Sequence, residues 1–186
     1  AKMTFRLAEH LLNKITDNNL YEVFKRNENA LPQLIRLIND GLYVDENQWS
    51  TELKKYELKK DKVENSILED LNSNINLNSH QQLKYALNNR GAKVANTKDE
   101  TLARYVKNHP VITDIRKYKK LQKLVSSNKK FINYPDSDGR VRASWKLFGS
   151  ITGRMSCSNP NLQQLSHKFR SCIKPEPGRK FICCDY

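Results

Sequence analysis

An apolar run near the end of the chain, Phe181 to Cys184, is followed by one carboxylate and one aromatic side chain, Asp185 and Tyr186. Carboxylate oxygens are the ligands that hard divalent ions such as magnesium prefer. Further upstream, residues 152–165 contain one Arg, two Asn and two Gln, side chains that bind phosphates and the base-edge acceptors of nucleic acids. Without further context, an Asp after an apolar run is more often a turn residue than a metal ligand. The rest of the sequence is needed to distinguish these two roles.

The net charge of +13 is concentrated in one half of the chain. Residues 1–100 hold 15 Lys or Arg and 15 Asp or Glu, whereas residues 101–186 hold 18 basic residues against five acids. One-sided positive charge is expected of a surface that neutralises phosphates and releases counterions. The alternative is a basic surface that only faces solvent.

The four cysteines, Cys157, Cys172, Cys183 and Cys184, include no Cys-x-x-Cys pair, and the four histidines are scattered. This pattern argues against a zinc site. We expect the adjacent Cys183 and Cys184 to be small core residues of a strand, in a reducing compartment. No apolar run approaches the ~18–20 residues that span a membrane, so we expect no membrane partner.

The elements that must position these residues begin with helices. Apolar residues recur with helical spacing over 7–15 and again over 20–39, where Asp40-Gly41 stops the second helix. A brief extended piece follows, and its last residue, Asp45, can cap the next helix. From Trp49 a near-heptad apolar stripe predicts a long, exposed helix of about 25 residues.

The middle of the chain predicts a second long helix after a polar stretch. Residues 72–100 are Asn-rich, with a small helix around 81–88 and a stop at Gly91. Pro110 opens the second long helix, whose outward side chains are Lys117, Lys119, Lys120, Lys123, Lys129 and Lys130. Two long helices joined by a polar tip predict a hairpin arm. An ordinary helical bundle remains the alternative.

The periodicity then changes from helix to strand. Asp138-Gly139 is a strong hairpin-turn signal, and apolar and polar residues alternate over 140–147 as in a half-buried basic strand. A stretch rich in Gly, Ser and Asn leads to a closing strand that ends at Asp185. The predicted fold class is therefore α+β, with a helical arm first and a mixed sheet second.

Four ordered motifs connect these elements to a known family. Two lie in the helical region: Ile75-Asn76-Leu77-Asn78-Ser79 with Gln82-Leu83, and Tyr118-Lys119-Lys120-Leu121 with Lys123-Leu124. Two lie in the sheet region: Gly139-Arg140 with Thr152-Gly153-Arg154, and Asn161-Leu162-Gln163-Gln164. With the closing Asp-Tyr, the chain resembles family A DNA polymerases, the bacterial DNA polymerase I type.

The resemblance implies a domain plan and a DNA-binding surface. Residues 1–45 would be lead-in helices and the start of the palm, 46–134 the thumb, and 135–186 a palm segment. Arg154 would read the minor groove at the primer end. The other implied DNA contacts are Asn161, Gln163 and Gln164 on the duplex, Lys119 and Lys123 along the arm, and Asn78 and Ser79 on primer phosphates. Capping of the helix over 81–88 is the alternative role of Asn78 and Ser79.

The resemblance also implies the chemistry at the end of the chain. Asp185 would be the catalytic carboxylate that bridges two Mg²⁺ ions, and the main-chain carbonyl of Tyr186 a further ligand. The substrates would be deoxynucleoside triphosphates and primer–template DNA, in the cytoplasm of a bacterial or phage-infected cell.

Several positions depart from the family pattern. Gln164 stands where the family has Asn, Leu165-Ser166 replaces Ile-Pro, and Leu147 replaces a frequent Gln. Lys119 replaces an Arg and cannot make its planar two-pronged contact, so a phosphate contact is expected there. These changes fit a divergent, phage-like member.

The second catalytic carboxylate and the fingers helix of the family do not occur in this sequence. We therefore expect the chain alone to be inactive, and a second polypeptide to supply the fingers and the rest of the palm. Since the family's next residue is Ser, an intein-interrupted or split polymerase is one hypothesis, and proteolysis is another. The competing function is a non-enzymatic, basic nucleic-acid-binding accessory module. A helical protein–protein adaptor is a third alternative, which would not account for the one-sided charge.

Overall fold

The computed structural model describes residues 2–176, 178–182 and 184. It is α+β, as predicted, and divides into two compact units. Unit 1 comprises residues 1–44, 134–165 and 173–186, and unit 2 comprises residues 45–133 and 166–172. None of the helices in the described part is long and apolar enough to cross a lipid bilayer. The thumb and palm boundaries stay a prediction.

Unit 1 begins with two amphipathic helices, α1 (Lys2–Asp17) and α2 (Tyr21–Asp40), where apolar periodicity predicted them. Neither helix buries a residue, and apolar side chains such as Met3 and Phe5 are largely exposed. The predicted stop at Gly41 is confirmed: its φ is +61°, and its N–H donates to the Leu37 carbonyl at 3.2 Å. A left-handed φ of this kind favours glycine.

The strands of unit 1 form two antiparallel pairs. β1 (Leu42–Tyr43) pairs with β2 (Arg140–Val141), and β3 (Ser144–Lys146) pairs with β4 (Ser156–Ser158). The alternation predicted over 140–147 is confirmed in burial, since Val141 and Ala143 are buried. The prediction of one continuous strand in a mixed sheet is wrong, because β2 and β3 pair with different partners and the ladder is interrupted between them.

The predicted closing strand is absent from the described residues. Residues 178–182 and 184 have no regular structure, and Phe181 and Ile182 are 54% and 87% exposed. The prediction that Cys184 is a core residue is also wrong, because it is exposed, while Cys183 lies outside the described residues. An apolar run becomes a strand only when a neighbour takes its backbone hydrogen bonds, and no described strand pairs with this one.

Unit 2 is helical. It contains α3 (Glu46–Leu71), α4 (His80–Asn89), α5 (Asp99–Ala103) and α6 (Val111–Phe131), and α3 packs along α6. The Asp45 carboxylate caps α3 as predicted, accepting from the Gln48 N–H at 2.9 Å. The two long helices are confirmed; the five-residue α5 was not predicted. Ile112 of α6 is fully buried, and Val111 beside it is partly buried against the core.

The core of unit 2 has an aliphatic part and an aromatic part. The aliphatic part includes Ile67, Leu83, Leu87, Leu102 and Ile115, all fully buried. In the aromatic part, Trp49 lies between Phe131 and Phe169, with ring centroids 4.2 Å and 4.7 Å away. The Trp49 indole N–H donates to the Asn128 carbonyl at 3.2 Å. Phe169 comes from the separate stretch 166–172, within the short 3-10 helix His167–Cys172.

Candidate nucleic-acid interface

The hairpin of β3 and β4 holds the loop that contains Arg154. Opposite residues are Ser144 and Ser158, and Trp145 and Cys157. Gly149 lies so close to the returning strand that a Cβ atom built on it would stand 1.8 Å from Ser156 Oγ and 2.9 Å from Ser156 N. The loop therefore requires glycine at 149 for a steric reason.

Ser150 fixes the backbone on both sides of Arg154. Its hydroxyl accepts from the Arg154 N–H at 3.1 Å and donates to the Arg154 carbonyl at 3.3 Å. Gly153, with φ +73°, closes the turn by donating its N–H to the Ser150 carbonyl at 3.1 Å. The Arg154 side chain is exposed and makes no ion pair with a described residue. A held backbone with a free guanidinium is the geometry that a phosphate or base-edge contact requires.

The Asn and Gln side chains after β4 differ in which hydrogen-bonding groups remain available to a ligand. Asn161 accepts the Gln163 N–H on its side-chain oxygen at 3.1 Å, which leaves its NH₂ group available. Gln163 donates its own side-chain NH₂ to the Met155 carbonyl at 3.0 Å. Gln164 is exposed and makes no side-chain hydrogen bond with a described residue. Buried Cys157 anchors this stretch, since its Sγ accepts from the Leu162 N–H at 3.4 Å.

Replacing Gly149 by Ala is expected to displace the β3–β4 loop and so to weaken the primer–template binding predicted from the sequence. The added methyl group cannot fit against Ser156, so the β3–β4 loop has to shift, and overpacking of this kind costs about 1–3 kcal/mol. We expect a several-fold higher Kd in fluorescence anisotropy. The combination with Ser156→Gly, which removes the clashing Cβ and Oγ but leaves the 2.9 Å contact with the Ser156 backbone N, is the control and should recover part of the affinity. No recovery would show that the clash with Ser156 is not the cause.

Two of the predicted DNA contacts in unit 2, Asn78 and Ser79, lie at the start of α4. Ser79 caps this helix, its hydroxyl accepting from the Gln82 N–H at 3.4 Å, so the capping alternative is seen in the structure. The Asn78 N–H donates to Asn76 Oδ1 at 2.9 Å, and its side chain is exposed. Capping leaves the exposed amide of Asn78 accessible to a ligand.

Lys119 and Lys123 differ in their surroundings. Lys119 is half-buried and donates its ammonium to the carbonyl of the buried Thr97, and desolvation lowers the pKa of its ammonium. The prediction that Lys119 points outward is therefore wrong, because the loop before α5 covers it. Lys123, one turn later, is exposed. Because its ammonium group is exposed, Lys123 is more accessible to a phosphate than Lys119 is.

Two arginines of the predicted basic strand are used within the protein. Arg140 donates to the Asp40 carbonyl at 2.9 Å and pairs with Glu176. Arg142 donates to the Asn39 carbonyl at 2.8 Å and pairs with Asp136 and Asp138, holding the pKa of Asp138 at about 2. Both thus satisfy carbonyls at the end of α2, where cations are favourable.

Unit 2 contains a lysine-lined groove that was not predicted from the sequence. It has a volume of about 720 Å³, and its cationic side chains are Lys59, Lys62, Arg116, Lys117, Lys120 and Lys168. Part of this groove could have been predicted from the lysine spacing on the two long helices. Lys59 and Lys62 are three residues apart, as are Lys117 and Lys120, so each pair lies on one helical face. No local pattern could place Lys168 beside them.

The predicted metal ligands Asp185 and Tyr186 lie outside the described residues. The described residues contain no group of three or more His, Cys, Asp or Glu side chains that could hold a metal ion.

The chain is similar to DNA polymerases in sequence. The profile of DNA polymerase family A matches residues 46–186. DNA polymerase I of Borreliella burgdorferi is 27% identical, and DNA polymerase I of Chloroflexus aurantiacus is 29% identical; each alignment covers 100% of this chain and 22% of the relative. The chain thus spans about a fifth of the length of these curated relatives.

A solved structure shares the fold. The POL domain of Pol1 from M. smegmatis, in a complex with DNA primer-template and dNTP, superposes with a TM-score of 0.79 and 18% identity. The match covers 90% of this chain and 32% of the other chain.

Proposed function

The chain belongs to DNA polymerase family A, and from this premise we propose that it binds primer–template DNA as part of a DNA-directed DNA polymerase. The observation that carries the proposal is the loop at Arg154, whose backbone is bound on both sides by Ser150 while its guanidinium is free. A polymerase must hold every sequence, so its contacts go to phosphates and to minor-groove acceptors that all base pairs share.

The donors on this surface suit such contacts. Minor-groove acceptors require hydrogen-bond donors, and Arg154, the NH₂ group of Asn161 and the amide of Gln164 supply them. Gln163 uses one of its side-chain N–H groups to hold the loop at Met155, and its second N–H and its side-chain oxygen stay free for the duplex. Asn78, Ser79 and Lys123 would contact the primer backbone, and Lys119 would position the loop at Thr97.

Asp185 and the Tyr186 carbonyl would supply the metal-binding part. A carboxylate and a peptide carbonyl are hard oxygen donors, which fit Mg²⁺. Bound magnesium would lower the pKa of the primer hydroxyl and stabilise the leaving pyrophosphate. We propose that the fingers and the remaining palm of the family complete the site. Residues 1–186 would be inactive alone. The polymerase would work in the cytoplasm of a bacterial or phage-infected cell.

The lysine-lined groove of unit 2 favours a second candidate, a non-enzymatic nucleic-acid-binding module. Both candidates predict salt-sensitive DNA binding. Only the polymerase predicts primer extension when the chain is mixed with a fragment that carries the fingers and remaining palm of a relative. Binding with no extension by the mixture would support the accessory module instead.

Arg154→Ala is expected to reduce primer extension by that mixture about 10- to 100-fold, because a charge-assisted contact at the primer end is worth about 1.5–3 kcal/mol. Steady-state extension in magnesium and nucleotides measures the loss. Lys146→Ala, which removes an exposed cation from β3 of the same hairpin, is the matched control and should change the rate less than about twofold. Equal losses in the two variants would mean that Arg154 acts only as general positive charge.

A further inference from the structure

The groove of unit 2 lies between α3 and α6 and has a charged rim over an apolar floor. The half-buried side chains of Val63 from α3 and Leu121 from α6 form the floor, next to the ring of Tyr56, which is 9% exposed. The rim carries Lys59 and Lys62 from α3, Lys117 and Lys120 from α6, and Lys168 from the stretch 166–172. All five lysines are exposed, and no Asp or Glu lines this groove in the described part of the chain.

The positive charge of the groove is not neutralised within it. Arg116 is the exception, because it makes a two-pronged ion pair with Asp99 at 2.7 and 2.9 Å. The five rim lysines make no ion pair with a described residue, whereas other lysines of α3, such as Lys55 and Lys60, pair with acids on the same helix. Unpaired like charges gathered around one groove favour an anionic ligand.

Tyr56 brings two of the lysines together from distant parts of the chain. The ammonium groups of Lys168 and Lys59 lie 5.2 and 5.4 Å from the centroid of its ring. The negative face of an aromatic ring attracts cations at this distance. Phe169, next to Lys168, packs against Tyr56 with ring centroids 5.9 Å apart and fixes the segment. The rim is therefore built by the fold and is not a chance collection of surface lysines.

This surface differs from the DNA contacts already assigned to α6. Thr113, Lys117 and Lys120 follow each other at intervals of four and three, so they share one helical face. Lys119 and Lys123 do not line the groove. Lys119 instead donates to the Thr97 carbonyl. The groove is thus a second cationic surface of unit 2.

We propose that this groove binds a single-stranded nucleic acid segment, with phosphates on the lysine rim and bases against the apolar floor. A duplex keeps its bases stacked inside and would use only the rim, leaving the floor exposed to water. Unpaired bases can cover apolar surface while their phosphates meet cations, which is how single-strand grooves combine charge with apolar contact. This inference goes beyond the proposed function, because it requires neither Asp185 nor catalysis.

The test is anisotropy of a labelled oligothymidylate of about 12 nucleotides with the 186-residue chain, at about 0.1 M salt. The variant replaces Lys59, Lys62, Lys117 and Lys120 by Gln. Each single-strand phosphate contact contributes about 0.7 to the slope of log K against log salt. At this salt concentration, one contact therefore raises the binding constant roughly fivefold. We expect at least about 20-fold weaker binding and a slope smaller by about 2–3. Lys168→Gln alone should weaken binding about fivefold.

A matched control replaces four exposed lysines of unit 2 outside the groove, Lys54, Lys84, Lys107 and Lys130, by Gln. It changes the net charge equally and should weaken binding less than about threefold. Equal losses in the control and the groove variant would overturn the proposal. So would an equal loss of blunt-duplex binding, or competition by polyglutamate as strong as by unlabelled oligothymidylate. Primer extension by the completed polymerase reports on the proposed function separately.

Discussion

Asp185→Ala is expected to lower primer extension by the completed polymerase by at least about 10³-fold, the largest functional effect of any single substitution in the chain. The Asp185 carboxylate would help to hold magnesium, and metal stabilisation of the transition state is worth several kcal/mol. Each 1.4 kcal/mol, roughly, is a tenfold change in rate. Extension rates of the mixture in saturating nucleotide, across a magnesium titration, measure the effect.

Binding and control measurements separate this role from a structural one. Asp185→Ala should leave the Kd for primer–template within about twofold, because the DNA contacts proposed at Arg154 and Asn161 are unchanged. Asp114→Ala removes another carboxylate from the basic half of the chain and should keep near-normal extension. Extension by Asp185→Ala at more than about a tenth of the normal rate would exclude Asp185 as a magnesium ligand.

Trp49→Ala is expected to lower the free energy of unfolding by about 3–5 kcal/mol, the largest effect on stability. The indole is 1% exposed and lies between the rings of Phe131 and Phe169. Its removal leaves a cavity between two aromatic rings and takes the N–H donor from the Asn128 carbonyl. Urea unfolding followed by helical circular dichroism measures the change.

Two further variants identify the source of that stability. Trp49→Phe keeps an aromatic ring but loses the hydrogen bond and part of the volume, so we expect a smaller loss of about 1–2 kcal/mol. Tyr85→Ala removes an aromatic ring that is 70% exposed in the same unit, and its effect should stay within about 0.5 kcal/mol. A loss for Trp49→Ala no larger than that for Tyr85→Ala would contradict a core role for Trp49.

The helices could be predicted from sequence because their information is local. The apolar stripe from Trp49 and the cap at Asp45 determine α3, and Gly41, with a positive φ, ends α2 where a stop was predicted. Strands depend on partners distant in sequence. The alternation over 140–147 was correct in burial, yet nothing local shows that β2 pairs with β1 and β3 with β4.

The candidate DNA surface was predictable in its residue types but not in their surroundings. The motif at Arg154 gave the residue, and the structure adds the two hydrogen bonds between its backbone and the Ser150 hydroxyl. Helical spacing alone placed Lys119 outward, because it contains no information on the loop that brings the Thr97 carbonyl to its ammonium. Lys168 joins the groove lysines only through the packing of Phe169 on Tyr56.

Unit 2 is assembled from two stretches of chain, and this has a consequence for synthesis on the ribosome. Phe169, which covers Trp49 and Tyr56, is translated after the whole stretch 45–133 and after residues 134–165 of unit 1. At about 5–20 residues per second, Phe131 precedes Phe169 by roughly 2–8 s. During that interval the nascent helices have one face of Trp49 uncovered, so a chaperone that shields aromatic surface would act on this protein before its release.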